Sequence, residues 1–415
     1  MFELLPETKV MRDPIHGYIH VDLKVIWDLI DTFEFQRLRR IHQLGGTYMV
    51  YHTAEHSRFS HSLGVYEITR RMVHEIKSIR EALNEYERVT AMLAALLHDV
   101  GHGPFSHAFE AISGKNHEEF TVRIILEDTH IHRLLADVDP NLPQAVADVI
   151  MHKHSNPLLC QLVSSQLDAD RMDYLLRDSY FTGTSYGKFD LERVLRTLRV
   201  SEQKLVVKES GIHSIEDYIM SRYHMYWQVY FHPISRSYEA MLTSLFQRLR
   251  DLYERDPSLI QSYAMFEPMF RTGEMSVQDY LMLDEPCAFY GIHLMSRSDD
   301  PVLQDLASRI LKRDLFAREV IESKDQVRIK KEQLLAAGYD PRYYFKEDHS
   351  MQIPYHPYIS KGSDVIEVQM EHGAIVELSA VSTIVSSIVQ GKIKDDYRMF
   401  YVKLPNSSRS YDRNK

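Results

Sequence analysis

The chain has 415 residues, 44% hydrophobic and 26% charged, with a formal net charge of −10. This is the composition of a soluble globular protein, and it excludes a disordered or fibrous chain. The negative charge argues against a bulk electrostatic grip on nucleic acid, while a local basic pocket could still hold a small phosphorylated ligand.

Two cysteines, Cys160 and Cys287, are too few and too far apart for a disulfide framework or a thiolate zinc site. The N-terminus, MFELLPETKV, has neither the basic nor the apolar region of a signal peptide. No apolar run approaches the ~20 residues that span a bilayer. A cytoplasmic protein, with no membrane contact, is the expectation. Histidine is unevenly spread: eleven of the 22 fall before residue 120 and eighteen before residue 233. Because imidazole titrates near neutrality and ligates metals, the chemistry is expected in the N-terminal half.

Residues 1–25 read as an extended arm punctuated by Pro14 and Gly17. From Val25 to Met265 apolar residues recur at three- and four-residue spacing, as in VIWDLIDTFEFQRLRRI, SLGVYEITRRMVHEI and AMLAALLHDV, which predicts helices. KLVVK at 204–208 reads as a short hairpin strand, and Pro233 should end or kink a long aromatic helix. Residues 301–337 read as helical. DVIEVQMEHGAIVELSAV and YRMFYVKLP alternate like strands. The expected fold is mainly α, with a helical core over 1–265 and a smaller α+β region over 266–415.

Three segments carry chemistry. In LLHDVGHGPFSH (96–107) an apolar helix closes on His98 and Asp99, and burying either group unpaired costs several kcal/mol. A metal ion would satisfy both; a histidine beside the negative end of a helix dipole is the plainer reading of the pair alone. HSRFSHSLG (56–64) puts His61 in the first turn of a helix. QLDADRMDYLLRDS sets Asp170, Tyr174 and Asp178 in one polar stripe, which could be only a solvated face. Together His61, His98, Asp99 and Asp170 form a two-His, two-carboxylate set with positions open for water or substrate.

The order H…HD…D in these segments, with DPIHGYI (13–19), IDTFEFQRLRRIHQLGG (30–46) and YWQVYFHP (226–233), resembles the HD-domain metal-dependent phosphohydrolases. Within them the chain looks most like the deoxynucleoside triphosphate triphosphohydrolases, in colinear blocks over most of residues 9–240. It is read without a sterile-alpha-motif domain ahead of the HD core, as in the bacterial branch.

The resemblance implies an HD-domain helical core that cleaves a dNTP into deoxynucleoside and inorganic triphosphate. His61, His98, Asp99 and Asp170 would hold a divalent metal (Mn, Fe, Zn or Mg). His107 and His117 fall at the catalytic histidines, and His117, with Glu118 beside it, is the preferred general acid. Arg58, His102, Arg171 and Arg222 would contact the triphosphate, Arg171 standing where the vertebrate branch has lysine. Gln43 and Asp178 would bind the sugar 3′-OH, with Leu44 and Tyr174 packed about the ribose and Tyr230 near the pocket. Core packing competes for Tyr226, Trp227 and Tyr230.

The resemblance further implies a homo-oligomer, a tetramer, activated by a guanine nucleotide. The residues at that separate site would be Lys9, Val10, Asp31, Gln36 and Arg39, with Arg313 from RDLFARE. Asp31 can accept from the guanine N1–H and N2 amine, and Arg39 can donate to O6. Ala317 replaces a basic residue of that region, beside Arg318. Two other functions compete: a different HD phosphohydrolase, acting on nucleotides or cyclic nucleotides, and a catalytically idle nucleotide sensor.

Overall fold

The structure is a computed structural model that describes residues 2–106, 109, 110, 114, 116–271, 275–351, 355, 365–390 and 395–404. His107 lies outside them. The chain is 61% helical with a few small sheets. The extended arm is an antiparallel hairpin, β1 (Leu4–Asp13) with β2 (Gly17–Leu23), turned at Gly17 with φ of 72°. The helix expected over 25–41 is broken. Lys24–Ile30 forms α1, and the Thr32 hydroxyl then accepts from the Phe35 amide and starts a separate turn. Residues Arg37–Arg40 form a tighter 3₁₀ turn. Apolar spacing persists across this corner, so periodicity alone could not reveal it.

Three further helices build the centre of the molecule. α2 (Arg58–Glu75) packs against both α3 (Glu85–Leu97) and α4 (Ala169–Thr182). α3 opens with a capping box between Asn84 and Glu87, and its run from Ala91 to Leu97 is almost entirely buried. α4 is capped by Asp168, whose carboxylate accepts from the Arg171 amide, and it stops at Gly183 in the left-handed region.

β3 (Leu198–Ser201) and β4 (Lys204–Lys208) form the expected hairpin around KLVVK. α5 (Ile212–Met225) runs into a π-helical turn, Tyr226–Tyr230, and Pro233 occupies the first position of α6 (Pro233–Arg255). The stretch expected to be helical over 301–337 is interrupted. Residues Ala317–Val320 are β5, Lys324–Ala336 is α7, and β6 (Phe345–Met351) follows. β7 (Glu367–Gln369), β8 (Ile375–Glu377) and β9 (Asp395–Tyr401) complete the order. β5 and β6 flank β9, and this pairing overrides the helical pattern of RDLFAREV.

Two compact units interleave along the chain: Met1–Tyr230 with Glu274–Pro286 and Ile353–Lys392, and Phe231–Gly273 with Cys287–Gln352 and Ile393–Lys415. The first holds β1–β2, helices α1–α5 and the four-stranded sheet β3-β4-β7-β8. The second holds α6, α7 and the three-stranded sheet. Among the described residues no helix is long and apolar enough to cross a membrane.

Candidate active site

Where α2, α3 and α4 meet, the four residues of the H…HD…D pattern converge. His61 projects from the first turns of α2. His98 caps the C-terminus of α3, with Asp99 next to it, and Asp170 lies in the first turn of α4. His61 Nε2 is 3.0 Å from Asp170 Oδ1 and 3.8 Å from Asp99 Oδ2. His98 Nε2 is 3.3 Å from Asp99 Oδ1 and 3.7 Å from Asp170 Oδ1. Donor atoms bound at about 2.1 Å to one ion stand about 3.0 Å apart at right angles and about 3.4 Å apart in a tetrahedron. His61, His98 and Asp99 can bring one donor atom each within 4.8 Å of one another and so could hold a metal, with Asp170 beside them.

The details agree. His98 Nδ1 donates to the Ala95 carbonyl at 2.8 Å, which leaves Nε2 facing the cluster. That nitrogen is buried and has no hydrogen-bond partner among the described residues. The helix-end reading of His98 is therefore half correct: one ring nitrogen binds the helix and the other faces the carboxylates.

Electrostatics favour a cation here. Burial alone would lower the His61 imidazole, but hydrogen bonds to Asp170 and Asp173 outweigh it and raise its pKa to about 10. His98 is raised too, burial being outweighed by the Asp99 charge. Burial would raise Asp99, yet the charges of His98 and Arg58, with a hydrogen bond from His102, hold it well below the usual carboxylate range. A buried carboxylate, Asp99, beside half-buried Asp170 demands positive charge, which protons or a divalent cation can supply.

A second group adjoins the first through Asp99, whose Oδ1 is 3.4 Å from His102 Nε2. The His102 and His117 rings stack at 3.8 Å and 15°. Burial and the charge of Arg58 push His102 well below its ordinary pKa, so it is a neutral ring. His117 Nδ1 is hydrogen-bonded to the Glu110 carboxylate. Glu118, expected to assist it, is exposed, and its amide donates to Asn116. The close approach of this loop to the helix Glu118 lies on depends on Gly101. A Cβ there would fall 2.2 Å from the His117 carbonyl oxygen and 2.2 Å from the Thr121 amide nitrogen.

The expected substrate residues surround these groups. Arg58 is buried and donates to Asp99, to Ser106 Oγ at 2.9 Å and to the Gln43 carbonyl. Gln43 Oε1 and Arg222 Nε are buried without hydrogen-bond partners among the described residues. Arg171 is held by Asp168 at 2.9 Å. Leu44 packs, half-buried, against the apolar core. The polar stripe of α4 is turned inward, not solvated: Asp178 is buried and accepts from Tyr230 at 2.8 Å and from His56 at 2.7 Å. Tyr174 meets Tyr230 edge-on at 6.0 Å. Of the aromatic residues left open between core and pocket, Tyr230 thus joins the polar site.

Of the expected effector residues, Gln36 donates to the Ile30 carbonyl and accepts from Arg39 at 2.8 Å. The Arg39 guanidinium lies 3.5 Å over the Phe59 ring. Asp31 caps α1 and is exposed, Lys9 and Val10 are on β1, and Arg313 is exposed in the second unit.

A model of the HD domain matches residues 58–178, and a model of the HD-associated region matches 189–267. The chain is 47% identical to the uncharacterized protein YwfO of Bacillus subtilis over 96% of this chain and 93% of that one. The chain belongs to the HD-domain phosphohydrolase family. Within the family it is 32% identical to the deoxynucleoside triphosphate triphosphohydrolase SAMHD1 homolog of Dictyostelium discoideum, over 58% of this chain and 49% of that longer one. A solved structure titled a phosphohydrolase, from Bacteroides thetaiotaomicron, superposes with a TM-score of 0.84 at 27% identity. It covers 96% of this chain and 100% of its own. The HD match begins at Arg58 and ends at Asp178, so it encloses the four converging residues.

Several residues that brace this region from outside the matched HD segment carried no signal in the sequence. His42 was without a role; its Nδ1 is hydrogen-bonded to buried Glu285, and its Nε2 lies 2.8 Å from Glu55. Glu285 also accepts from the Phe105 amide at 3.2 Å, and Tyr280 donates to the Gly101 carbonyl at 2.5 Å. The segment around 280–285 therefore straps the loop that follows His98. Burial would lower His42, but the hydrogen bonds to Glu285 and Glu55 raise it to about 9. Its folded pKa stands above the ordinary value near 6.5, so its stabilisation is full below about pH 6.5 and disappears as pH rises through about 9. Thermal melts of wild type and His42→Gln should therefore differ most at pH 6 and converge by pH 10. A gap that widens with pH would contradict this pairing.

Proposed function

We propose that the chain is a metal-dependent dNTP triphosphohydrolase, acting in the cytoplasm as a homotetramer that a guanine nucleotide activates at a separate site. The observation that carries the reading is the buried His98 Nε2, unpartnered among the described residues and facing Asp99, Asp170 and His61. The likeness to named dNTP triphosphohydrolases supports the substrate class.

His61, His98, Asp99 and Asp170 would hold the metal, which when bound supplies a water of lowered pKa and a Lewis acid for the α-phosphoryl oxygen. The chain's own residues do the rest. Arg171, Arg222, Arg58 and neutral His102 are the donors for the triphosphate oxygens, Arg222 having a buried N–H to spare. Gln43 and Asp178 present acceptors to the sugar 3′-OH, and Tyr174 and Leu44 crowd the ribose. In the reaction the water oxygen joins the α-phosphorus and the bond from that phosphorus to the 5′-oxygen breaks. His117, oriented by Glu110, gives its proton to the departing 5′-oxygen. Deoxynucleoside and inorganic triphosphate leave. Lys9, Val10, Asp31, Gln36, Arg39 and Arg313 are assigned to the activating nucleotide, with the exposed Asp31 and the Arg39–Gln36 pair as its polar contacts.

The test is chromatography of products from each dNTP with Mn²⁺ or Mg²⁺, with and without GTP or dGTP. Inorganic triphosphate and deoxynucleoside in equal amounts are expected, with faster release when a guanine nucleotide is present. No triphosphate from any dNTP under any of these conditions would end the proposal.

A further inference from the structure

His61 reaches the metal cluster with Nε2, and its other nitrogen is occupied. Nδ1 lies 2.8 Å from Asp173 Oδ2. Asp173 is completely buried and serves four donors at once. His16 Nε2 approaches Oδ1 at 2.6 Å, Arg177 Nη2 approaches Oδ1 at 2.9 Å, and Arg177 Nε approaches Oδ2 at 2.8 Å. Together with His61 these use the whole acceptor capacity of one carboxylate. Arg177 is in turn tied by Nη1 to Asp13 at 2.8 Å. Asp13 also accepts from the Ile15 and His16 amides, which fixes the turn between β1 and β2.

The packing leaves no slack. A Cβ on Gly64 of α2 would fall 1.8 Å from Asp173 Oδ1 and 2.5 Å from Arg177 Nη2. Only a glycine lets α2 and α4 approach closely enough for this carboxylate to stand behind His61.

We infer that Asp173 is the positioning residue of the metal centre, and that the hairpin turn carrying Asp13 and His16 belongs to that centre although it contributes no ligand. The inference rests on the metal reading of His61, His98, Asp99 and Asp170. A carboxylate accepting from Nδ1–H leaves the lone pair of the neutral ring on Nε2, the atom that faces the cluster. An asparagine in its place cannot accept from all four donors. However its amide is turned, the NH₂ meets an Arg177 N–H, and in one of the two orientations it also faces His61 Nδ1, favouring the wrong tautomer. His16 is the second support: it helps set the direction of Oδ1 from outside α2 and α4.

The experiment is Mn²⁺ titration calorimetry on the full chain after chelator treatment, with a thermal melt of each variant. Asp173→Asn is expected to weaken Mn²⁺ binding by about 10- to 100-fold at a temperature where the melt shows it folded. His16→Ala is expected to weaken it about tenfold, and His16→Gln, which keeps an N–H donor, to recover most of that loss. If these variants melt earlier yet the folded chain binds Mn²⁺ with wild-type affinity, the role is merely structural and the inference is overturned. Should Asp173→Asn fail to fold, the comparison of His16→Ala with His16→Gln decides alone. His98→Ala separates the two readings. If it binds Mn²⁺ like wild type, the metal centre itself is misassigned; if it loses Mn²⁺ while the Asp173 and His16 variants keep it, only the positioning role falls.

Discussion

His98→Ala is expected to lower dNTP turnover by on the order of a thousandfold or more while leaving a folded chain. If His98 is one of four ligands, as proposed, its loss removes a donor that no neighbour replaces, and metal-assisted charge stabilisation is worth several kcal/mol, about 1.4 of which is tenfold in rate. The structural cost is small by comparison. His98 caps a helix whose stability comes from its buried apolar run, and the single bond lost is Nδ1 to the Ala95 carbonyl. Turnover measured beside a thermal melt separates the two effects. Turnover within tenfold of wild type would remove His98 from the site.

Arg37→Ala is expected to cost about 3–5 kcal/mol of stability and roughly 10 °C in Tm. The guanidinium is completely buried, and burial lowers its pKa to about 10. It donates twice to the Leu283 carbonyl, at 3.0 and 2.5 Å, and once to the His102 carbonyl at 2.8 Å. Truncation leaves both carbonyls unsatisfied and opens a cavity beside the Tyr280 ring. Because one carbonyl belongs to His102, the loop bearing that residue should loosen as well. Arg37→Lys should rescue little, since a single ammonium cannot repeat a planar fork to two carbonyls. Thermal denaturation of both variants is the measurement, and a Tm within 2 °C of wild type for Arg37→Ala would contradict the assignment.

The proposed metal set could be named from the sequence because His61, His98, Asp99 and Asp170 together are a chemically specific set, although the His98–Asp99 pair alone has a plainer reading at a helix end. The residues that hold the set in place could not. His16 and Asp173 are 157 positions apart, and His42 and Glu285 are 243 apart, so only the fold brings them together. Asp173 did carry a signal, lying one turn before Arg177 on a helix whose other acids were already under suspicion. His56, left unexplained in the sequence, proves to support Asp178.

At the level of fold, the helical core and the strands after residue 365 follow from apolar periodicity and alternation. The errors fall where a local device overrides the period. The Thr32 hydroxyl breaks one helix, and pairing to β9 converts Ala317–Val320 into a strand. Lys324–Ala336, in the same charged stretch, forms the expected helix with a largely solvated face.

The most direct measurement is hydrolysis of the best dNTP in H₂¹⁸O, followed by mass spectrometry of each product. One ¹⁸O in the inorganic triphosphate and none in the deoxynucleoside is the result the proposed reaction predicts, since in it water attacks the α-phosphorus and the 5′-oxygen leaves with the sugar. Label in a deoxynucleoside monophosphate, or in inorganic phosphate released with a deoxynucleoside diphosphate, would contradict it.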